Sequence, residues 1–197
     1  MSSSKNRGQG KGPRAWKRVK QGLPHDYRIL KIREDQVADP RDGSVHGRVV
    51  IDCVDWVNII PVTLENDVVL IRQFRTGVWE NTLEIPGGMV DEGEEPLAAA
   101  VRELEEETGY VPGRVIPLGW THPNPAIQHN RCFSFLALGC ERISEQATDE
   151  GEDILVELHP RKDIYRLLRE GQITHALVVA AFGLERLYWD HETAYGR

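Results

Sequence analysis

Residues 88–110 read GMVDEGEEPLAAAVRELEEETGY and are the most informative part of the chain. They predict a helix over Pro96–Thr108, because proline suits the first turn of a helix and Gly109 follows the last residue. Side chains three and four positions apart lie on the same side of a helix. The apolar side that we expect to face a protein core consists of Leu97, Ala100, Val101 and Leu104.

A second side of this helix carries three glutamates, Glu103, Glu106 and Glu107. Carboxylates at these spacings are neighbours and repel one another. A hard divalent cation removes the repulsion, since magnesium prefers oxygen ligands. Arg102, four residues before Glu106, can orient one of the carboxylates. Three glutamates alone fit an ordinary solvated acidic helix equally well.

The order of the surrounding residues is more specific. It matches the pattern Gly-x5-Glu-x7-Arg-Glu-U-x-Glu-Glu-x-Gly-U, in which U is apolar, and a chance match anywhere in the chain has a probability of roughly 10⁻⁷. The stretch therefore resembles the signature, or box, of the Nudix hydrolases, with aromatic Tyr110 as a mild departure. The matching positions are Gly88, Glu94, Arg102, Glu103, Leu104, Glu106, Glu107, Gly109 and Tyr110.

The resemblance implies an α/β/α sandwich with a mixed sheet, on which the box forms a loop, a helix and a second loop. It also implies a Mg²⁺ site, with Mn²⁺ as an alternative. The implied ligands are the backbone carbonyl of Gly87 and the carboxylates of Glu103, Glu106 and Glu107, of which Glu106 ligates the metal or positions water. Glu106 and Glu107 are also the implied catalytic residues. Structural roles within the box are implied for Gly88, Glu94, Arg102 and Gly109, with Glu94 and Arg102 as an ion pair.

Outside the box, residues 44 to 190 resemble the ADP-ribose pyrophosphatase and nucleotide-sugar hydrolase branch of that family. The resemblance is densest in VVLIRQFR, residues 68–75, and TLEIPGGMV, residues 82–90. That branch carries a loop proline about fifteen residues beyond the box, and Pro125 stands at this distance from Tyr110. Asn-Pro-Ala replaces the Ser-Pro-Gly often seen there, which leaves the sugar of the substrate open.

Three further side chains are candidates for substrate binding. Arg75 lies at the end of a predicted strand, where its guanidinium can bind a diphosphate through two hydrogen bonds. It can equally be an ordinary surface arginine without a role in binding. Trp56 and Trp79 can stack on a base or cover the pocket, although a tryptophan in an apolar strand also suits a core.

The acidic segment ATDEGEDI, residues 147–154, follows later in the chain. In similar pyrophosphatases a glutamate from this loop closes over the substrate as a base or as a final metal ligand. The resemblance favours Glu152 for this catalytic role, with Glu150 as the second choice. An ordinary solvated acidic turn explains the segment equally well.

The expected reaction is Mg²⁺-dependent hydrolysis of the diphosphate bond of ADP-ribose or a related nucleoside diphosphate sugar. The products would be a nucleoside monophosphate and a sugar phosphate. Alternatives within enzymes are a dinucleoside polyphosphate, coenzyme A, NADH or capped RNA as substrate. An alternative from another class is a sensor that binds a nucleotide sugar without hydrolysing it.

The charge and the cysteine content of the chain indicate which partners and which cellular compartment to expect. The chain carries a net charge of −7, although residues 1–22 hold seven lysines or arginines and no acid. The acidic remainder argues against nucleic acid as a partner, since phosphate backbones need a positive surface. Three unpaired cysteines favour a reducing compartment, so a cytoplasmic location is expected. No stretch of the sequence approaches the roughly 18 uninterrupted apolar residues of a membrane-spanning helix, so no membrane segment is expected.

Three segments are expected along the chain: a flexible basic tail over residues 1–21, a strand unit over residues 22–48, and the hydrolase domain over residues 49–197. By analogy with similar pyrophosphatases, the strand unit is expected to support a homodimer. Further helices are predicted over residues 161–170 and 173–189, the latter buried almost all round. Strands are predicted over residues 27–37, 47–64, 68–75, 82–86, 131–138 and 154–159.

Overall fold

The computed structural model describes residues 13–148, 151 and 153–195. The chain divides into two compact units, Met1–Asp52 and Cys53–Arg197. The first unit is an antiparallel sheet in which β4 pairs with the whole length of β3, whereas β1 and β2 pair with opposite ends of β3. Its strands are β1 (Lys17–Lys20), β2 (His25–Asp26), β3 (Lys31–Ala38) and β4 (Val45–Asp52).

The buried side chains of this first sheet are charged. Among the described residues 13–52 the buried ones are Arg33, Asp35 and Asp39, and none is apolar. Asp35 accepts hydrogen bonds from the Arg33 side chain and the Gly22 amide, and Asp39 accepts hydrogen bonds from Arg41. The large apolar side chains exposed in this unit are Trp16, Val19, Leu23, Tyr27, Ile29, Val45 and Val49.

These observations correct the predicted division of the chain. Lys17–Lys20 form a strand on β3 rather than part of a flexible tail, because Lys17, Arg18 and Lys20 align with residues 36–38. The two units separate after Asp52, later than the predicted boundary at residue 48, because β4 extends to Asp52. Residues 1–12 of the predicted tail lie outside the described residues.

The second unit contains a seven-stranded sheet and three helices. Its strands are β5 (Trp56–Thr63), β6 (Asp67–Arg75), β7 (Glu80–Glu84), β8 (Tyr110–Val111), β9 (Arg114–Thr121), β10 (Cys132–Arg142) and β11 (Ile154–Pro160). Its helices are α1 (Pro96–Thr108), α2 (Ile164–Arg169) and α3 (Ala176–Tyr195). The strand order is β11-β6-β5-β10-β8, with β7 paired to β6 and β9 paired to β10. β5 and β10 are parallel and the other pairs are antiparallel, so the sheet is mixed.

Two apolar clusters occupy opposite faces of this sheet, since neighbouring residues of a strand point to opposite sides. One contains Ile59, Phe135 and the α1 residues Ala100 and Leu104. The other contains Ile60, Leu136 and residues of α2 and α3, including Phe182. The predicted α/β/α sandwich with a mixed sheet is confirmed.

Several predicted elements differ in detail. The predicted strand 47–64 breaks at residues 53–55, where the Asp55 carboxylate accepts hydrogen bonds from the backbone and side chain of Arg131. The last helix begins at Ala176 and is not buried all round, because Val179 and Leu187 are exposed. Within the described ranges, no helix is both long enough and apolar enough to span a bilayer.

Candidate active site

The box begins where the chain leaves β7 and runs against β5. The Ile59 amide donates to the Pro86 carbonyl at 2.9 Å, and Val57 and Gly88 exchange backbone hydrogen bonds of 2.9 and 3.1 Å. The chain then turns into α1, whose predicted bounds Pro96–Thr108 are confirmed. Gly109 caps the helix with φ +75°, a left-handed conformation that glycine adopts without the cost of a Cβ.

The face that α1 buries differs from the predicted one. Ala100 and Leu104 are buried as expected, but Leu97 is 47% exposed and Val101 is half-buried. Ala99 is buried instead. The helix is rotated so that Glu107, eight residues after Ala99, also points inward, next to the start of the box.

Glu107 is the most buried of the three box glutamates, with 4% of its surface exposed. Its Oε2 accepts a hydrogen bond of 3.0 Å from the backbone amide of Gly87. A buried carboxylate needs such donors or a cation to offset the loss of hydration. This contact fixes the end of α1 against the residue that precedes the box.

Glu103 lies against the next residue of the same segment. A Cβ added to Gly88 would stand 2.4 Å from Oε1 of Glu103, so the carboxylate occupies space that a side chain at position 88 would fill. Glu103 and Glu107 therefore both approach the Gly87–Gly88 dipeptide. A side chain at position 88 would therefore displace the Glu103 carboxylate from this position.

Arg102 connects the glutamates with one another. Its Nη1 donates to Glu103 Oε1 and to Glu106 Oε2, each at 3.0 Å. Its Nε and Nη2 donate to the two carboxylate oxygens of Glu94, again at 3.0 Å each. Nη2 also donates to the Met89 carbonyl at 3.2 Å. One guanidinium thus joins the loop of the box to two of its helical carboxylates.

The protonation of this ion pair follows from the same contacts. The hydrogen bonds from Arg102 hold the pKa of Glu94 below its ordinary value. The carboxylates, Glu94 first among them, raise the pKa of Arg102 further above its already high value. Both groups are therefore charged over the whole physiological pH range.

The donor set fits a divalent cation, since it consists of oxygen atoms with three carboxylates on one side of a helix. In the described part of the chain, no group of three or more His, Cys, Asp or Glu side chains is gathered closely enough to hold a metal ion. The Glu103 and Glu106 carboxylates contact Arg102, and the Glu107 carboxylate contacts the Gly87 amide. Binding a cation would require the carboxylates to close around it.

The substrate-binding candidates lie in different surroundings. Arg75 forms a two-pronged ion pair with buried Glu84, through hydrogen bonds of 2.9 and 2.8 Å. Trp56 is half-buried at the start of β5 and bridges to Met89 of the box. Trp79 is 74% exposed and meets the ring of Phe74 edge-on at 5.5 Å. Pro125 is exposed in the loop between β9 and β10.

Trp79 also adopts a left-handed backbone conformation, with φ +62°. A bulky residue in this region is uncommon and is strained. Its amide donates to the Arg75 carbonyl at 2.8 Å, which closes the turn between β6 and β7. The turn thus presents an exposed indole four residues from the Arg75 guanidinium.

Glu152 and Glu150 lie outside the described residues, so their predicted catalytic role stays a prediction. Of the acidic segment that contains them, the structure describes residues 147, 148, 151, 153 and 154. Gln146, which precedes the segment, donates to the Glu107 carbonyl at 2.7 Å and to the Ile154 carbonyl at 3.1 Å. Gln146 therefore links the described residue Ile154 to the C-terminal end of α1.

Glu84, which orients the substrate-binding candidate Arg75, was not predicted as a site residue from the sequence. It is 3% exposed, and Thr82 also donates to it, at 2.5 Å. Burial alone would raise the pKa of Glu84, but the hydrogen bonds from Arg75 and Thr82 outweigh burial and lower it. An acidic residue between Leu83 and Ile85 in an apolar strand was the available signal.

Comparison with known proteins agrees with this geometry. The family model of the NUDIX domain matches residues 55–182. A methanol dehydrogenase activator of Bacillus methanolicus is 32% identical over 131 residues, 66% of this chain and 70% of that protein. An ADP-ribose pyrophosphatase of Bacillus subtilis is 29% identical over 150 residues, 76% and 80% of the two chains. A crystal structure of an ADP compounds hydrolase shares the fold, with a TM-score of 0.80 at 21% identity over 95% of this chain and 100% of that one. The matched domain, the relatives and the box glutamates around Gly87 and Gly88 together place this chain in the NUDIX family.

Proposed function

We propose that this chain hydrolyses the diphosphate bond of ADP-ribose or a related nucleoside diphosphate sugar, with Mg²⁺ as cofactor. Family membership makes it a Nudix pyrophosphohydrolase, and relatives named ADP-ribose pyrophosphatase support the substrate class. The observation that carries the proposal is the approach of Glu103 and Glu107 to the Gly87–Gly88 dipeptide, with Glu106 beside them on Arg102. The products would be a nucleoside monophosphate and a sugar phosphate.

The cation would be held by Glu103, Glu106, Glu107 and the Gly87 carbonyl. When bound, it would neutralise charge that builds on the diphosphate oxygens and would lower the pKa of a coordinated water. Mn²⁺ has the same preference for oxygen ligands and is the expected substitute. Glu107, buried and fixed by the Gly87 amide, gives this site its defined position.

Glu106 is suited to handle water. Its side chain is 44% exposed, compared with 17% for Glu103, so it reaches both the site and the solvent. A carboxylate in this position can orient a water molecule and accept its proton. Glu152 is proposed as a second base, because Gln146 and Ile154, which precede and follow it in the chain, are linked to the end of α1.

Arg75, Trp79, Trp56 and Pro125 are proposed to bind substrate. The Arg75 side chain is 42% exposed and is oriented by Glu84, and a guanidinium held in this way suits a two-pronged contact with a diphosphate. Trp79 would stack on the base or cover it, since its exposed indole stands on the same turn. Trp56 and Pro125 would line the pocket from β5 and from the loop before β10.

A homodimer is proposed for the first unit. The connections between its strands expose Leu23 at 89%, Ile29 at 64% and Tyr27 at 60% of their surfaces, and the described residues of this unit bury no apolar side chain. A sheet of this kind gains stability only by packing against something else. A second copy is the proposed partner, and a monomeric mass in light scattering at micromolar concentration would contradict it. The expected cytoplasmic location stays a prediction from the cysteine content.

A panel of substrates tests the proposed activity. Purified protein with Mg²⁺ is incubated with ADP-ribose, nucleoside diphosphate hexoses, NADH, dinucleoside polyphosphates and coenzyme A, and the released monophosphates are quantified. We expect ADP-ribose or a nucleoside diphosphate sugar to give the highest kcat/KM, and EDTA to abolish turnover. Tight binding without products would favour the sensor instead, which the intact box glutamates argue against.

A further inference from the structure

The nitrogens of the Arg102 guanidinium bind two different sets of partners. Its Nε and Nη2 are anchored by three hydrogen bonds, two to the Glu94 carboxylate and one to the Met89 carbonyl. Its Nη1 instead donates to Glu103 and Glu106, both of which belong to the proposed metal site. The anchored end does not depend on the metal ligands.

The distances at Nη1 limit how far apart the two carboxylates are. Each oxygen lies 3.0 Å from the same nitrogen, so Glu103 Oε1 and Glu106 Oε2 are at most 6.0 Å apart. A single Mg²⁺ bound by both oxygens at about 2.1 Å each would bring them within about 4.2 Å of one another. Nη1 therefore holds both carboxylate oxygens within reach of one point, and a cation that binds both oxygens has to take its place.

Charge leads to the same view of the metal-free site. Two carboxylates on adjacent positions of a helix surface repel each other, and a guanidinium between them offsets the repulsion. A guanidinium cannot lose its charge at physiological pH, so it stays a competitor of any incoming cation. The bonds to Glu94 keep Arg102 in place when its Nη1 loses these partners.

We propose that Arg102 is a resident counter-ion, whose Nη1 neutralises Glu103 and Glu106 in the metal-free protein and yields these carboxylates to the cation on binding. This inference rests on the proposed metal role of the box glutamates. It gives Arg102 a positioning role with two opposite consequences. The guanidinium stabilises the protein without metal, and it weakens the affinity for metal.

The test measures metal affinity and metal-free stability of Arg102→Gln in the full chain. Mn²⁺ is titrated by calorimetry, and thermal unfolding is followed in EDTA and in saturating Mg²⁺. We expect a lower Tm than wild type in EDTA, a larger rise of Tm with Mg²⁺, and Mn²⁺ binding tighter by about three- to tenfold. Arg186→Gln is the matched control, because it removes the same charge from an exposed helical ion pair in α3. Arg186→Gln should leave the Mn²⁺ affinity and the rise of Tm with Mg²⁺ close to the wild-type values.

Weaker Mn²⁺ binding by Arg102→Gln, or an unchanged rise of Tm, would overturn the inference and leave Arg102 as a structural residue only. If this variant does not fold in EDTA, its recovery of the native circular dichroism spectrum on addition of Mg²⁺ supports the inference, and failure to recover contradicts it. Arg102→Lys, which keeps the charge but cannot span both ends, should fall between the wild type and Arg102→Gln in Mn²⁺ affinity. Absence of Mn²⁺ binding by the wild-type protein would instead contradict the proposed function.

Discussion

The two units of this chain differ in what they bury and in their charge. Residues 1–52 contain twelve lysines or arginines against six acids, whereas residues 53–197 contain twelve against twenty-five. In the described part of the chain, every buried apolar side chain lies between Val57 and Phe182, and the buried side chains of the first unit are charged. The second unit therefore has the apolar core that stabilises a fold, whereas the described part of the first unit is held together by polar contacts.

The largest expected effect concerns the chemistry of the second unit. Glu107→Gln keeps the size of the side chain and an oxygen for the Gly87 amide, but it removes a negative charge from the proposed metal site. We expect kcat on the preferred nucleotide sugar to fall by about three orders of magnitude or more, since metal-bound charge stabilisation is lost. Steady-state kinetics with circular dichroism of the folded protein measure this.

Glu105→Gln is the matched control for this prediction. Glu105 lies on the same helix but is exposed and does not belong to the box signature. Its substitution should leave kcat close to the wild-type value. Nearly normal turnover of Glu107→Gln, or an equal loss in both variants, would remove the special role of Glu107.

The next effect compares the two units in stability. Leu136 is fully buried in the second unit, and Leu23 is 89% exposed in the first. Leu136→Ala should lower the free energy of unfolding by about 2–5 kcal/mol, because it loses apolar burial and leaves a cavity. Leu23→Ala should change it by less than about 0.5 kcal/mol. Urea denaturation of both variants measures the difference, and similar losses would show that the first unit has a core of its own.

A smaller effect is expected at acid pH in the first unit. Hydrogen bonds from Arg41 lower the pKa of Asp39 from its ordinary value of 3.8 to about 2. The pKa of Asp39 is lower in the folded than in the unfolded protein. The contribution of the Asp39–Arg41 ion pair to stability is therefore complete above pH 3.8 and is lost as the pH falls through about 2. NMR of the Asp39 carboxyl carbon measures the titration, and Trp16 signals report the unit. A titration midpoint near 3.8 would contradict the prediction, and Asp39→Asn should make the stability of this unit less dependent on pH in that range.

The parts of the structure that the sequence predicted are those with local signals. The bounds of α1 follow from Pro96 and Gly109, and the box residues follow from their spacing. β9 was not predicted, because Pro117 and Gly119 interrupt the pattern of a strand. Its pairing with β10 shifts register between Ser134 and Phe135, opposite these residues. Such an irregularity depends on the partner strand and leaves little local signal.

Features that depend on contacts between distant parts of the chain could not be predicted from the sequence either. The ion pair of Arg75 with Glu84 depends on the register of β6 with β7, in which Ile71 faces Glu84. The exposed position of Leu97 depends on the rotation of α1, which the buried Glu107 and its Gly87 contact help to set. The strand at Lys17–Lys20 has a basic, fully exposed sequence, and only its pairing with β3 identifies it.

The most direct test of the metal assignment is anomalous diffraction from crystals grown with Mn²⁺ and a non-hydrolysable ADP-ribose analogue. We expect an anomalous peak at bonding distance from carboxylate oxygens of Glu103 and Glu107, with the diphosphate of the analogue next to it. Bound analogue with no peak near these side chains, or a peak held by other residues, would contradict the assignment of Glu103 and Glu107 as metal ligands.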